Sequence, residues 1–136
     1  MLQRDEDAML EAARQARENA WAPYSGFRVG AAVLGASGRI YPGCNVENAS
    51  YPVTTCAERN AIGAAISAGE RRIVAVMVCA DHKDPVTPCG MCRQAIAEFG
   101  PDVRVVCVGG GDDRVEYSVS ELLPFAFGAD KLEGRA

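Results

Sequence analysis

The chain of 136 residues is predicted to be an α/β protein, a three-layer α/β/α sandwich around a mixed five-stranded sheet. Three observations predict it. Strand-like and helix-like segments follow the order β-β-α-β-α-β-β behind an opening helix. Residues 73–80 form an unbroken apolar run, as a central strand covered on both faces requires. The helical segments carry apolar faces that need a sheet to cover them.

Over 5–20, Met9, Ala12, Ala13, Ala16 and Ala20 recur at helical spacing, while Arg14, Arg17 and Glu18 fill the opposite face. Ala22-Pro23-Tyr24-Ser25-Gly26 breaks that helix. Strands over 28–34 and 39–44 flank Ala36-Ser37-Gly38, a hairpin signal. The stretch 45–55 contains Pro52 and reads as loop. A second helix is predicted from Cys56 to Gly69, a residue suited to the position past a helix end. Ala57, Ala61, Ile62, Ala64, Ala65 and Ile66 cover most of its circumference, which predicts a well-buried helix. A third helix opens after Pro88 and stops before Gly100-Pro101. Strands over 103–108 and 115–119 are joined by a glycine- and aspartate-rich turn and should pair antiparallel. Residues 120–123 suggest one helical turn, and 129–136 a loosely ordered tail. No repeat, linker or low-complexity block interrupts the chain, so residues 1–136 are expected to form a single domain.

A hydrophobic content of 49% supports a real core. There is no apolar run long enough to cross a membrane. The acidic N-terminus lacks the apolar stretch of an export signal. The six cysteines therefore read as thiols, and a cytoplasmic location is expected. A net charge of −4 without a basic stripe argues against a nucleic-acid partner.

The chemistry is carried by Cys56-Ala57-Glu58 and Pro88-Cys89-Gly90-Met91-Cys92. Cys89 and Cys92 form a C-x-x-C pair at a predicted helix start, and Cys56 opens another. Helix N-termini favour thiolate, so two of them facing one point would ease the crowding of three anionic sulfurs. Three thiolates leave a four-coordinate zinc ion one position for water, a catalytic rather than structural arrangement. Zinc brings that water near neutral pKa, and Glu58 stands beside the first ligand to move protons. Together they suggest hydrolysis. Arg59, which follows closely, is expected to donate to a ligating sulfur. Arg93 also follows a ligand closely and stands evenly between that role and an ordinary solvated or salt-bridged arginine.

Other readings stay open on these residues alone. Thr55-Cys56-Ala57-Glu58 matches a capping box, which would spend Glu58 on the helix start. Cys44 as a fourth ligand would close the site and make the zinc structural. Cys89-Gly90-Met91-Cys92 is also compatible with thiol redox chemistry. Cys79 and Cys107 lie in apolar strand patterns and read as small buried hydrophobes. His82, the single histidine, sits in a polar stretch and reads as a surface residue.

Cys56-Ala57-Glu58-Arg59 with Pro88-Cys89-Gly90-Met91-Cys92-Arg93-Gln94 resembles the small cytidine deaminases. The likeness extends over nearly the whole chain. Ala22-Pro23-Tyr24-Ser25 with Phe27-Arg28-Val29-Gly30-Ala31-Ala32 resembles their first loop and strand. Gly43-Cys44-Asn45-Val46-Glu47-Asn48-Ala49-Ser50-Tyr51 resembles their nucleoside-binding segment. Glu121-Leu122-Leu123-Pro124 with Phe127 resembles their C-terminal segment.

The resemblance implies a cytidine deaminase-like fold and one zinc ion per subunit on Cys56, Cys89 and Cys92. It implies hydroxide attack at C4 of cytosine, with Glu58 as proton shuttle, converting cytidine and deoxycytidine to uridine and deoxyuridine plus ammonia in pyrimidine salvage. It places Asn45 and Glu47 on the ribose, Phe27 along the base, the Ala57 backbone at the cytosine amide edge, and Phe127 in a neighbouring subunit's site within a homotetramer. For Phe27 the plain alternative is core packing, and for Phe127 an aromatic that seals the core. Asn60, Phe125 (where the family often has glycine) and Pro52-Val53-Thr54-Thr55 depart from the family's usual pattern. The rival activities are deamination of blasticidin-type or other amino-heterocycles, and of deoxycytidylate, whose phosphate would require cations. A non-enzymatic domain with structural zinc is the remaining alternative.

Overall fold

Side chains of the three inner strands alternate between two apolar faces, and each face has its own helices. The computed structural model describes residues 2–132. Its elements are α1 (Gln3–Glu18), β1 (Val29–Gly35), β2 (Ile40–Cys44), α2 (Ala57–Ser67), β3 (Ile73–Ala80), α3 (Gly90–Ala97), β4 (Arg104–Val108), β5 (Arg114–Ser118) and α4 (Val119–Leu122). One set of strand residues, Ala31, Val33, Val76, Val78, Val105 and Cys107, packs with Ala57, Ala61 and Ala65 of α2 and Ile96 of α3. The other set, including Ala32, Leu34, Ala75, Met77 and Val106, packs with Met9, Leu10 and Ala13 of α1. The three-layer architecture follows from this period-2 alternation.

The sheet has the order β2-β1-β3-β4-β5. All neighbours are antiparallel except β3 and β4, which run parallel, so the sheet is mixed. The parallel step needs a crossover, and α3 lies within it. Both hairpins form where the turn signals place them. Gly38 takes φ +90°, which closes the first.

Close approach of backbones sets the helices. A Cβ at Gly30 would fall on the Ala13 carbonyl, so only glycine lets α1 lie this near β1. A Cβ at Gly43 would meet the backbone of Ala57 and Ala61, so that glycine seats α2 on β2. This second contact brings the start of α2 to the strand ends where the site forms.

The structure differs from the sequence-based expectation in three places. Helix α2 buries one face only: Ala57, Glu58, Ala61, Ile62 and Ala65 are covered, whereas Gly63, Ala64 and Ala68 are exposed. Its small residues resemble one another on every side, and only the position of the sheet selects the buried stripe. The segment 45–55 is more ordered than a plain loop. Val46 and Thr55 bridge to each other through two backbone hydrogen bonds of 3.0 Å, Trp21 pairs with Val46, and a 3-10 turn covers Tyr51–Val53. The expected loose tail begins with a 3-10 turn over Ala129–Lys131, and residues 133–136 lie outside the described residues.

Phe125 has φ +58°, in the left-handed region that favours glycine, at a position where the sequence already departs from glycine. No helix among the described residues is long and apolar enough to cross a membrane. All six cysteines are free thiols.

Candidate active site

Cys56 is the N-cap of α2 and Cys89 the N-cap of α3, and neither cap is closed by a side-chain hydrogen bond. Cys92 lies in the first turn of α3, fully buried. The two helix starts meet, and the three sulfurs all lie within 4.8 Å of one another. Each helix end contributes partial positive charge to the sulfurs it carries. The Cys56 thiol is drawn down to about 5, first by its hydrogen bond with Cys92, against the effect of burial, and with help from Arg59. Cys92 is pushed up, first by the bond to Cys56 and then by burial. Sulfurs this close repel one another as thiolates, and a divalent cation relieves that repulsion.

The donor set fits zinc. Soft thiolates select it. A tetrahedral ion with bonds of about 2.3 Å holds its sulfurs about 3.8 Å apart. The Sγ atoms of Cys56 and Cys89 are 3.9 Å apart. Among the described residues the cluster contains these three ligands alone, so Cys56, Cys89 and Cys92 are positioned to bind one metal ion. Cys44 lies outside it, which removes the closed four-cysteine arrangement. Cys79 and Cys107 are buried in the two cores. His82 is exposed, with Nδ1 accepting from the Asp84 amide at 3.1 Å.

Glu58 is the second residue of α2 and only 4% exposed. The capping-box reading of Thr55 to Glu58 fails, because the N-cap is Cys56 rather than Thr55. The one-residue offset frees the carboxylate from the helix start. Burial pushes Glu58 up to about 7, opposed by its own backbone amide and reinforced by charge on Cys56.

The two arginines beside the ligands divide differently. Arg59 Nη2 donates to Cys56 Sγ at 3.7 Å and to the Thr54 carbonyl at 3.4 Å. Among the described residues Arg93 makes no hydrogen bond or ion pair with a sulfur or a carboxylate. It donates to the Pro88 carbonyl at 2.7 Å, the Thr87 hydroxyl at 2.9 Å and the Leu122 carbonyl at 2.9 Å. Arg93 thereby ties the loop that presents Cys89 to α4.

Cys56, Glu58 and Cys89 open into a cavity of about 300 Å³. Phe27, Asn45, Glu47 and Ala57 line the same cavity. Asn45 is buried and uses its amide on the backbone: Oδ1 accepts from Val29 N and Nδ2 donates to the Phe27 carbonyl, both at 2.8 Å. Glu47 accepts from the amides of Tyr24 at 2.9 Å and Ser25 at 3.0 Å, and from the Ser25 hydroxyl. Hydrogen bonds with Ser25 hold its carboxyl below the ordinary range. A wider outer depression of about 410 Å³ shares Ser25, Glu47 and Thr54 with this cavity, so the Glu47 end is the open one.

Phe127 is not part of the cavity wall; it is 58% exposed, so it does not seal the core of its own chain. Its carbonyl accepts from Gln94 Nε2 at 2.8 Å. Asn60, a departure from the family's usual pattern, donates to the Cys44 carbonyl at 2.7 Å and the Thr55 hydroxyl at 3.0 Å, joining α2 to the end of β2. Sequence reasoning missed Ser25, Thr54 and Thr87 as wall residues. Ser25 reads in the sequence as part of a chain break and of the first-loop resemblance, neither of which assigns it a role, and no local pattern marks Thr87.

The model of the cytidine and deoxycytidylate deaminase zinc-binding region matches residues 2–109. A cytidine deaminase of Halalkalibacterium halodurans is 50% identical over 129 residues, spanning 94% of this chain and 98% of the relative. A probable cytidine deaminase of Dictyostelium discoideum is 42% identical over 137 residues, spanning 100% of this chain and 92% of the relative. The crystal structure of cytidine deaminase from Burkholderia pseudomallei superposes with a TM-score of 0.86 at 45% identity, covering 93% of this chain and 100% of that one. The matched region contains both helix starts and all three clustered cysteines, and on these likenesses the chain belongs to the cytidine and deoxycytidylate deaminase family.

Proposed function

We infer that this protein is a zinc hydrolase that deaminates cytidine and deoxycytidine to uridine and deoxyuridine, releasing ammonia, in pyrimidine salvage. The observation that carries the reading is Glu58, a buried carboxylate in the wall of a nucleoside-sized cavity beside three clustered thiols. Cys56, Cys89 and Cys92 would hold the zinc ion. When bound, zinc activates water for attack at neutral pH.

Glu58 takes a proton from the attacking water and returns protons to the ring and to the departing amine. Oxygen from water replaces the amino group at C4, and ammonia leaves. A carboxyl lifted by burial is suited to both halves of that exchange. Arg59 steadies Cys56 through its hydrogen bond to sulfur. The Ala57 backbone faces the amide edge of the base, and Phe27 forms part of the wall along it.

With the base at Glu58, the sugar lies toward Asn45 and Glu47 at the open end. Among the described residues no cationic side chain lines the cavity, and Glu47 is anionic there, which supports a nucleoside over deoxycytidylate. We further propose a single domain that assembles as a homotetramer, with the exposed Phe127 reaching a neighbouring subunit's site, and a cytoplasmic location.

The test is loss of ultraviolet absorbance when zinc-loaded protein meets cytidine, with uridine confirmed as product and Glu58→Ala as control. Wild type should convert cytidine, and the variant should keep zinc and fold while losing at least about a thousandfold in turnover. Turnover retained by Glu58→Ala removes it from the mechanism, and no conversion by wild type sinks the cytidine reading.

A further inference from the structure

Ser25 joins two residues that the proposed function places on the nucleoside. Its hydroxyl donates to Glu47 Oε2 and accepts from the Phe27 amide at 3.0 Å. Its own amide donates to Glu47 Oε1 at 3.0 Å, next to the Tyr24 amide at 2.9 Å. The Phe27 peptide is held at its other side by Asn45, which donates to the Phe27 carbonyl at 2.8 Å.

A carboxylate has roughly four acceptor positions. Three donors from Tyr24 and Ser25 occupy Glu47, which leaves about one position for a ligand hydroxyl. The same serine oxygen sets the start of the Phe27 peptide. Removing the hydroxyl withdraws one donor from Glu47 and so disturbs the sugar end of the cavity. A hydroxyl that bonds an amide two residues onward is also a common turn stabiliser, but that local role does not explain its bond to Glu47 on another segment.

We propose that Ser25 is a positioning residue for sugar recognition, presenting the last free acceptor of Glu47 to one sugar hydroxyl. The inference rests on the nucleoside reading above. It predicts a loss confined to ligands that carry a sugar, because the isolated base does not reach Glu47.

The experiment is calorimetric titration of the zinc-loaded full chain with uridine, which is not consumed, and with 1-methyluracil, alongside cytidine kinetics. Ser25→Ala should weaken uridine about tenfold, leave 1-methyluracil unchanged, and raise KM for cytidine about tenfold with kcat within about twofold. Ser25→Thr, which keeps the hydroxyl, should restore uridine binding. In a Glu47→Gln background the serine substitution should add little. Ser25→Gly serves if the alanine variant does not fold.

Equal weakening of uridine and 1-methyluracil would overturn the proposal in favour of a purely local turn role, as would no change in either. Wild-type protein that binds no uridine also overturns it. Uridine binding that depends on Ser25, without conversion of cytidine, supports this inference while sinking the deaminase reading.

Discussion

The two ends of the cavity are built by different means. At the metal end, two helix starts place Cys56 and Cys89, the first turn of α3 supplies the buried Cys92, and Glu58 is only 4% exposed where it meets the cavity. At the sugar end, the segments around Ser25 and Glu47 meet through side chain to backbone hydrogen bonds, and the wall opens to an outer depression. Burial strengthens electrostatics and makes each group hard to replace. Solvent and several parallel donors weaken the effect of any one group. A single change should therefore abolish function at the first end and tune it at the second.

The sharpest way to break that contrast is Cys89→Ala. Loss of one of three sulfurs should reduce zinc affinity by more than the roughly 10–100-fold typical of losing an outer-shell partner. Chelator competition and metal analysis measure it, and wild-type affinity in the variant would end the ligand assignment. A smaller effect is expected from Glu47→Gln at the open end. Its KM for cytidine should rise about tenfold, as for a lost hydrogen bond to a charged group, while kcat stays within about threefold. A collapse in kcat would mean that the two ends are not separable.

The smallest effect is expected from Cys44→Ser. This thiol lies outside the sulfur cluster, so zinc stoichiometry should be unchanged and stability should fall by no more than about 1 kcal/mol. Loss of zinc in this variant would restore the closed, structural site.

The two ends also differed in how far the sequence revealed them. Cys56-Ala57-Glu58 and the C-x-x-C pair are local spacings whose chemistry can be read without a fold. Even there, the residue that caps α2 was one position away from the capping-box expectation, because backbone dihedrals rather than residue type decide the cap. At the sugar end, Ser25 reads as a turn residue until its contact with Glu47 is seen. Arg93 likewise has a spacing that suits a sulfur, yet the fold offers it the carbonyls of Pro88 and Leu122.

By itself the sequence determined the sheet's strands, the layering and the metal-binding residue types, because hydrophobic period and donor chemistry are properties of short segments. Only the tertiary structure decided which face of α2 is buried, that Cys44 stands apart, and that Ser25 and Arg93 bind where they do. Those outcomes depend on approaches between segments remote in the chain, such as α2 seated on Gly43, and no local pattern encodes a distance across a fold.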